Sequence, residues 1–140
     1  MKLGAHIYLW IDRWSDQEVG LCDRARALGL DTLELSVGLD VPFDTALTRR
    51  AADAAGIGLV LGPGGAWPEN ADLAADDPAH RQSAFDFHRR IIDQTAAVGG
   101  LAYAGALYGR PGKSLRRRPP ADELARAAEG LRGLAQHLSL

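Results

Sequence analysis

The sequence is poor in the residues that carry redox, disulfide and stacking chemistry: one cysteine, one methionine and three each of Trp, Tyr and Phe in 140 residues. A lone Cys22 cannot close an intramolecular disulfide, so a disulfide scaffold is excluded and a reducing compartment fits. Its place inside a helical pattern reads as a small buried hydrophobe rather than a redox centre. Neither sign of charge dominates, with 16 Lys and Arg against 18 Asp and Glu and a formal net charge of -2. No global field attracts nucleic acid or an anionic membrane, and the expected partner is a small molecule without strong charge. No continuous apolar run reaches the length of a signal peptide or a membrane span, which reads as a cytoplasmic protein. A Walker loop, GxGxxG, HExxH and a nucleophile elbow are all missing, so phosphotransfer, dinucleotide binding and serine hydrolysis have no support. His80 and His88 stand eight positions apart. That is not the i, i+4 spacing at which two ligands share a metal, and both read as solvated surface.

What is present is a βα alternation that repeats along one domain, residues 1–140, long enough to bury a real core. Leu3 to Trp10 alternates as a strand. Leu3, Ala5, Ile7 and Leu9 share one face, and Gly4, His6, Tyr8 and Trp10 the other. Ser15 and Glu18 have capping-box spacing, and Val19, Leu21, Cys22, Ala25 and Leu28 follow at helical intervals up to Gly29. Thr32 to Val37 alternates again, with Leu33, Leu35 and Val37 opposite Thr32, Glu34 and Ser36. Asp44 caps a helix through Ala55, closed by Gly56, and Ile57 to Leu61 is a short apolar strand running into Gly62-Pro63-Gly64-Gly65. Those glycines fit close backbone approach to a ligand, and equally a plain tight turn. A long loop through Trp67, Pro68 and Asn70 reaches Asp77-Pro78, where a cap and an N1 proline open a helix to about Val98. Leu101 to Tyr108 is the fourth strand. A connection rich in proline and arginine follows, then a helix from about Ala121 to Leu138.

Helical crossovers between strands imply parallel pairing with right-handed connections. A four-strand doubly wound sheet and half of a (β/α)8 barrel both satisfy the count. Polarity separates them: a doubly wound sheet buries both faces and reads as apolar runs, whereas the first two strands here keep one face polar. The expected fold class is therefore α/β, four βα units forming the amino-terminal half of a (β/α)8 TIM barrel. In such a barrel the site lies at the carboxyl ends of the strands, which places Tyr8, Trp10 and the loops after strands three and four, with Gly62, around the ligand.

The residues also carry a family resemblance. The Lys2-Leu3-Gly4 opening, Trp10 and Trp14, the Gly29-Leu30-Asp31-Thr32-Leu33-Glu34 segment, Gly62-Pro63, the Asp77-Pro78 helix start with Arg81 and Phe85, and Ala104-Gly105-Ala106-Leu107-Tyr108 follow in order. In that order and spacing the chain is similar to the D-tagatose and D-psicose (allulose) 3-epimerase group of the xylose-isomerase-like barrels, within the sugar phosphate isomerase/epimerase superfamily. The resemblance implies a metal-dependent isomerase of carbohydrate metabolism. It would interconvert ketose sugars at carbon 3, with a divalent metal such as Mn, Mg or Co and two glutamates that remove and return a proton through an enediolate. In that group the metal ligands and both glutamates belong to strands five to eight. The resemblance thus implies no catalytic and no metal-ligating residue among these 140, and no activity for the isolated monomer. It assigns them the substrate-lining half: His6 in place of an aromatic, Trp14 in the following loop, and Gly105-Ala106 at the end of strand four. An aromatic that the group places shortly after that strand is replaced by Gly109-Arg110-Pro111.

Read individually, His6 fits an interior histidine or a hydroxyl ligand equally, since neutral imidazole serves either role. Glu34 would be costly to bury unpaired and lacks a carboxylate partner, which suits it to support the site from behind. Trp14, on a loop, suits the flat apolar wall of a sugar pocket. Arg116-Arg117-Arg118, with Arg110 and Lys113, reads as a solvated connection, the competing reading being a phosphate loop of a sugar-phosphate isomerase. The other competing reading is a non-catalytic half-barrel that binds sugar or forms a homo-oligomer through its uncovered edges.

Overall fold

The computed structural model describes residues 1–64, 66–109, 112 and 120–138. Gly65 and, in the arginine-rich connection, Arg110, Lys113 and Arg116 to Arg118 lie outside the described residues. Four parallel strands form one sheet in the order β1-β2-β3-β4: β1 (Gly4–His6), β2 (Thr32–Ser36), β3 (Gly58–Gly62) and β4 (Ala102–Tyr103). Each is followed by a helix: α1 (Leu21–Ala27), α2 (Thr45–Ala55), α3 (Pro78–Ala97) and α4 (Glu123–His137). Sequential parallel order with a helix in every crossover is the half-barrel arrangement of four βα units.

The two faces of the sheet differ as the alternation requires. Leu33, Leu35, Leu59 and Leu61 are buried under the helices with Ile7 and Val37. Each such side chain contributes about 1.5–3 kcal/mol by leaving water. The inner face carries Gly4, His6, Thr32, Glu34, Gly58 and Val60, and register places His6, Glu34, Val60 and Ala102 in one row. Thr32 leans over Gly4, and the Leu101 side chain folds across Gly58, so the lower end of this face is closed by side chains filling the space glycine leaves.

The Asp44 carboxylate accepts from the Ala46 and Leu47 N–H groups at 2.8 and 2.9 Å, and Gly56 (φ 66°) ends α2. Asp77 caps Ala79 at 2.8 Å, with Pro78 opening α3. Three local readings are corrected. The first strand does not run from Leu3 to Trp10: after His6 the chain tightens into a 3-10 turn, Ile7–Leu9, because the His6 imidazole accepts the Tyr8 N–H and caps it. Ile7 is therefore buried while Leu3, Tyr8 and Leu9 are more than half exposed. Ser15 and Glu18 form no capping box; Ser15 precedes and Glu18 ends a separate 3-10 turn, Asp16–Glu18, and α1 begins only at Leu21. The fourth strand keeps two paired residues, since the chain turns away at Ala104-Gly105, where Gly105 has φ 136°. Among the described residues, no helix is long and apolar enough to cross a membrane.

Candidate sugar-binding cleft at the carboxyl ends of the strands

At the carboxyl end of the sheet a cleft of about 280 Å³ opens between the strand termini, lined by His6, Tyr8, Glu34, Ser36, Gly62, Pro63, Gly64, Trp67, Ala104, Gly105 and Ala106. Every strand contributes, because in a parallel sheet the βα turns all emerge on one side.

His6 holds the centre. Its Nδ1 accepts the Tyr8 N–H at 3.1 Å, so the proton of a neutral ring sits on Nε2, which lies 3.0 Å from Ser36 Oγ. Nε2–H donates to Ser36, and the Ser36 hydroxyl keeps its own hydrogen for a group in the cleft. The Tyr8 ring leans on the imidazole with centroids 4.1 Å apart. Beside them stands Glu34, half-buried, with no hydrogen bond or ion pair to any described residue. A Cβ on Gly62 would come 3.5 Å from its Oε1, so the glycine leaves the carboxylate open to the cleft.

The flat wall is Trp67. Only 7% exposed, it donates Nε1–H to the Gly64 carbonyl at 2.9 Å and packs against Phe87 and His88 with centroids 5.1 and 4.9 Å away. Behind it His88 Nδ1 lies 2.7 Å from the Tyr103 hydroxyl. Burial lowers the His88 imidazole from 6.5 to about 4, the Leu107 backbone offsetting part of that by favouring the charged ring. Nε2 has no partner of hydrogen-bond geometry among the described residues. Burial likewise raises the Tyr103 phenol above its ordinary range. His88 is thus a neutral packing element bonded to Tyr103.

The structure brings His6, Tyr8, Glu34, Gly62, Gly105 and Ala106 to this one cleft. It does not bring Trp14. That ring is 1% exposed, because the loop that carries it packs it into the hydrophobic core instead of turning it toward the strand ends. Trp10 also leaves the cleft and packs at the core margin beneath Arg24, whose guanidinium lies 5.5 Å from its ring. His88 is not solvated surface but fully buried, on the stripe of α3 that carries Ala84, Phe87, Ile91, Ile92 and Thr95. His80 is on the outside, near Asp77. Ser36 and Trp67 are lining residues that sequence reasoning did not select. Ser36 shared the polar alternation of Glu34, and Trp67 stood in the one long loop.

Among the described residues, no three His, Cys, Asp or Glu side chains come together in a group able to hold a metal ion. The donor set of the cleft agrees: Glu34 is its single carboxylate, and both ring nitrogens of His6 are engaged. These residues do not fit a divalent metal centre.

The class these features define is half of a (β/α)8 barrel with a small cleft at the carboxyl ends of its strands. Solved structures bear this out over the whole chain. L-ribulose 3-epimerase matches with a TM-score of 0.86 at 23% identity, over 99% of this chain and 46% of that one. D-allulose 3-epimerase from Methylomonas sp. in complex with D-allulose matches at 0.81 and 25%, over 99% and 47%. D-psicose 3-epimerase from Clostridium cellulolyticum H10 with D-tagatose matches at 0.81 and 20%, over 99% and 49%. The chain spans about half the length of these solved structures. No protein-family model and no curated protein matches the sequence. The fold is that of half a sugar epimerase barrel.

Proposed function

We propose that this chain supplies the substrate-pocket half of a cytoplasmic, metal-dependent ketose 3-epimerase, with the divalent metal and the proton-transferring carboxylates held outside these residues. The observation that carries this reading is the cleft itself: an imidazole-fixed Ser36 hydroxyl, a Glu34 carboxylate without a partner among the described residues and the Trp67 ring converge at the strand ends of a 3-epimerase-like half barrel. Each group has a task toward a ketose. Ser36 donates to a sugar hydroxyl while His6 holds its oxygen in place, Glu34 accepts from one or two hydroxyls, and Trp67 and Tyr8 offer apolar faces to ring carbons. Inversion at carbon 3 removes a proton on one side and returns it on the other, which needs two acid–base groups facing each other. One carboxylate on one wall binds and orients.

The test is incubation of the 140-residue chain with Mn²⁺ and D-fructose or D-allulose, followed by chromatography of the sugars and by ligand-observed NMR. Binding of both ketoses without interconversion is expected. Conversion above the protein-free rate would overturn the division of labour, and absence of binding would overturn the pocket assignment.

A further inference from the structure

A second compartment of about 370 Å³ adjoins the cleft, lined by Tyr8, Asp12, Arg13, Ser36, Gly38, Asp40, Val41, Gly64 and Ala66. Tyr8, Ser36 and Gly64 line both spaces, so Tyr8, 54% exposed, stands as a partition rather than an outer wall. The floor is built. The Leu39 N–H donates to the Ala66 carbonyl at 2.8 Å, and Gly64, at φ 64°, sits so close to Gly38 that a Cβ would lie 2.8 Å from the Gly38 nitrogen. Both compartments lie near the lower end of the roughly 300–1,000 Å³ range of small-ligand sites, so each suits a single ring rather than one large ligand.

Charge selects among candidates for the outer space. Arg13 is paired to Asp40, which neutralises the only cation among the described lining residues, and Asp12 has no partner among the described residues. The lining therefore offers hydrogen-bond acceptors with a net negative sign. A phosphate placed there meets repulsion, whereas the vicinal hydroxyls of a neutral sugar find carboxylates to donate to and the Tyr8 ring to lie against. We infer that the outer compartment binds a second, neutral sugar ring, so that the ligand is a glycosylated ketose with its ketose unit in the inner cleft. This rests on the ketose reading of the inner cleft and adds the class of its natural substrate.

The experiment is an NMR titration of the 140-residue chain with D-fructose, with isomaltulose and lactulose, which join a second ring to a ketose, and with fructose 6-phosphate. The two disaccharides are expected to bind about tenfold tighter than D-fructose, the return from one hydrogen bond to a charged group. Asp40→Asn and, at an exposed position, Asp12→Asn are each expected to reduce that gain while leaving D-fructose binding unchanged. Equal affinity for fructose and the disaccharides, a gain that survives both substitutions, or a larger gain with the phosphate overturns this inference and leaves the ketose reading standing. Failure of every sugar to bind overturns both.

Discussion

Stability should fall steeply with acid because of one side chain, His88. Its imidazole is fully buried between Trp67, Phe87 and Tyr103, and burial lowers it from 6.5 to about 4. Between those values the unfolded chain binds a proton that the folded ring refuses, so stability rises with pH across the interval and is lost on going down through it. Above 6.5 both states are neutral and no penalty exists. Below about 4 the penalty is complete. At about 1.4 kcal/mol per pH unit, the interval amounts to about 3 kcal/mol, a large share of the 5–15 kcal/mol that holds a typical domain together. Urea unfolding followed by tryptophan fluorescence at pH 7.0, about 5.5 and about 4.5 measures it. Carboxylates and the other histidines add their own slopes, so the comparison is with His88→Gln. That variant loses the Tyr103 hydrogen bond and starts lower at pH 7, but its stability should fall by about 2 kcal/mol less between pH 7.0 and about 4.5, the folded ring still being partly neutral at the lower end. Equal slopes in the two proteins would refute the assignment of a neutral, desolvated ring.

Two further outcomes follow from packing. Gly56→Ala and Gly64→Ala both place a side chain in the left-handed region, but nothing lies within 4 Å of a Cβ on Gly56, whereas one on Gly64 meets the Gly38 backbone. The first should cost about 1–2 kcal/mol and the second a further 1–3, read as the difference in urea midpoints; equal losses would show that the two loops part freely. Cys22 is 1% exposed, and burial followed by the neighbouring Asp23 raises its thiol to about 11. At pH 8 it should react with a disulfide reagent at least a hundredfold more slowly than in urea, since a thiol of pKa 11 is thiolate in only about one molecule in a thousand.

The legibility of this fold was uneven for physical reasons. Where a segment buries one side along its full length, alternation or helical spacing is written into it. Leu33 and Leu35 on β2 with Val37 just after it, and the Asp77-Pro78 start of α3, could be read directly. β1 could not, because the alternation through Tyr8 and Trp10 continues past the point where His6 captures a backbone N–H. A side-chain-to-backbone bond of that kind leaves the pattern intact while ending the strand. Trp14 went astray for the same sort of reason: it sits on a loop, and only the path of that loop decides whether its ring reaches the core or the cleft. His88 was legible in principle. Positions 84, 88, 91 and 95 are one helical stripe, and a histidine in the middle of an apolar stripe belongs under it.

The order β1-β2-β3-β4, with all strands parallel, has a consequence for assembly. Its two edges are different strands, so copies of this chain that join edge to edge with every strand kept parallel place β4 of one against β1 of the next, a head-to-tail contact rather than a self-complementary one. Such contacts close only when curvature permits. At barrel curvature the ring shuts after two copies and eight strands, while a flatter sheet never shuts and grows as a filament. The three residues of β1 and two of β4 give either course little backbone to template on, which is how short edges guard an open sheet.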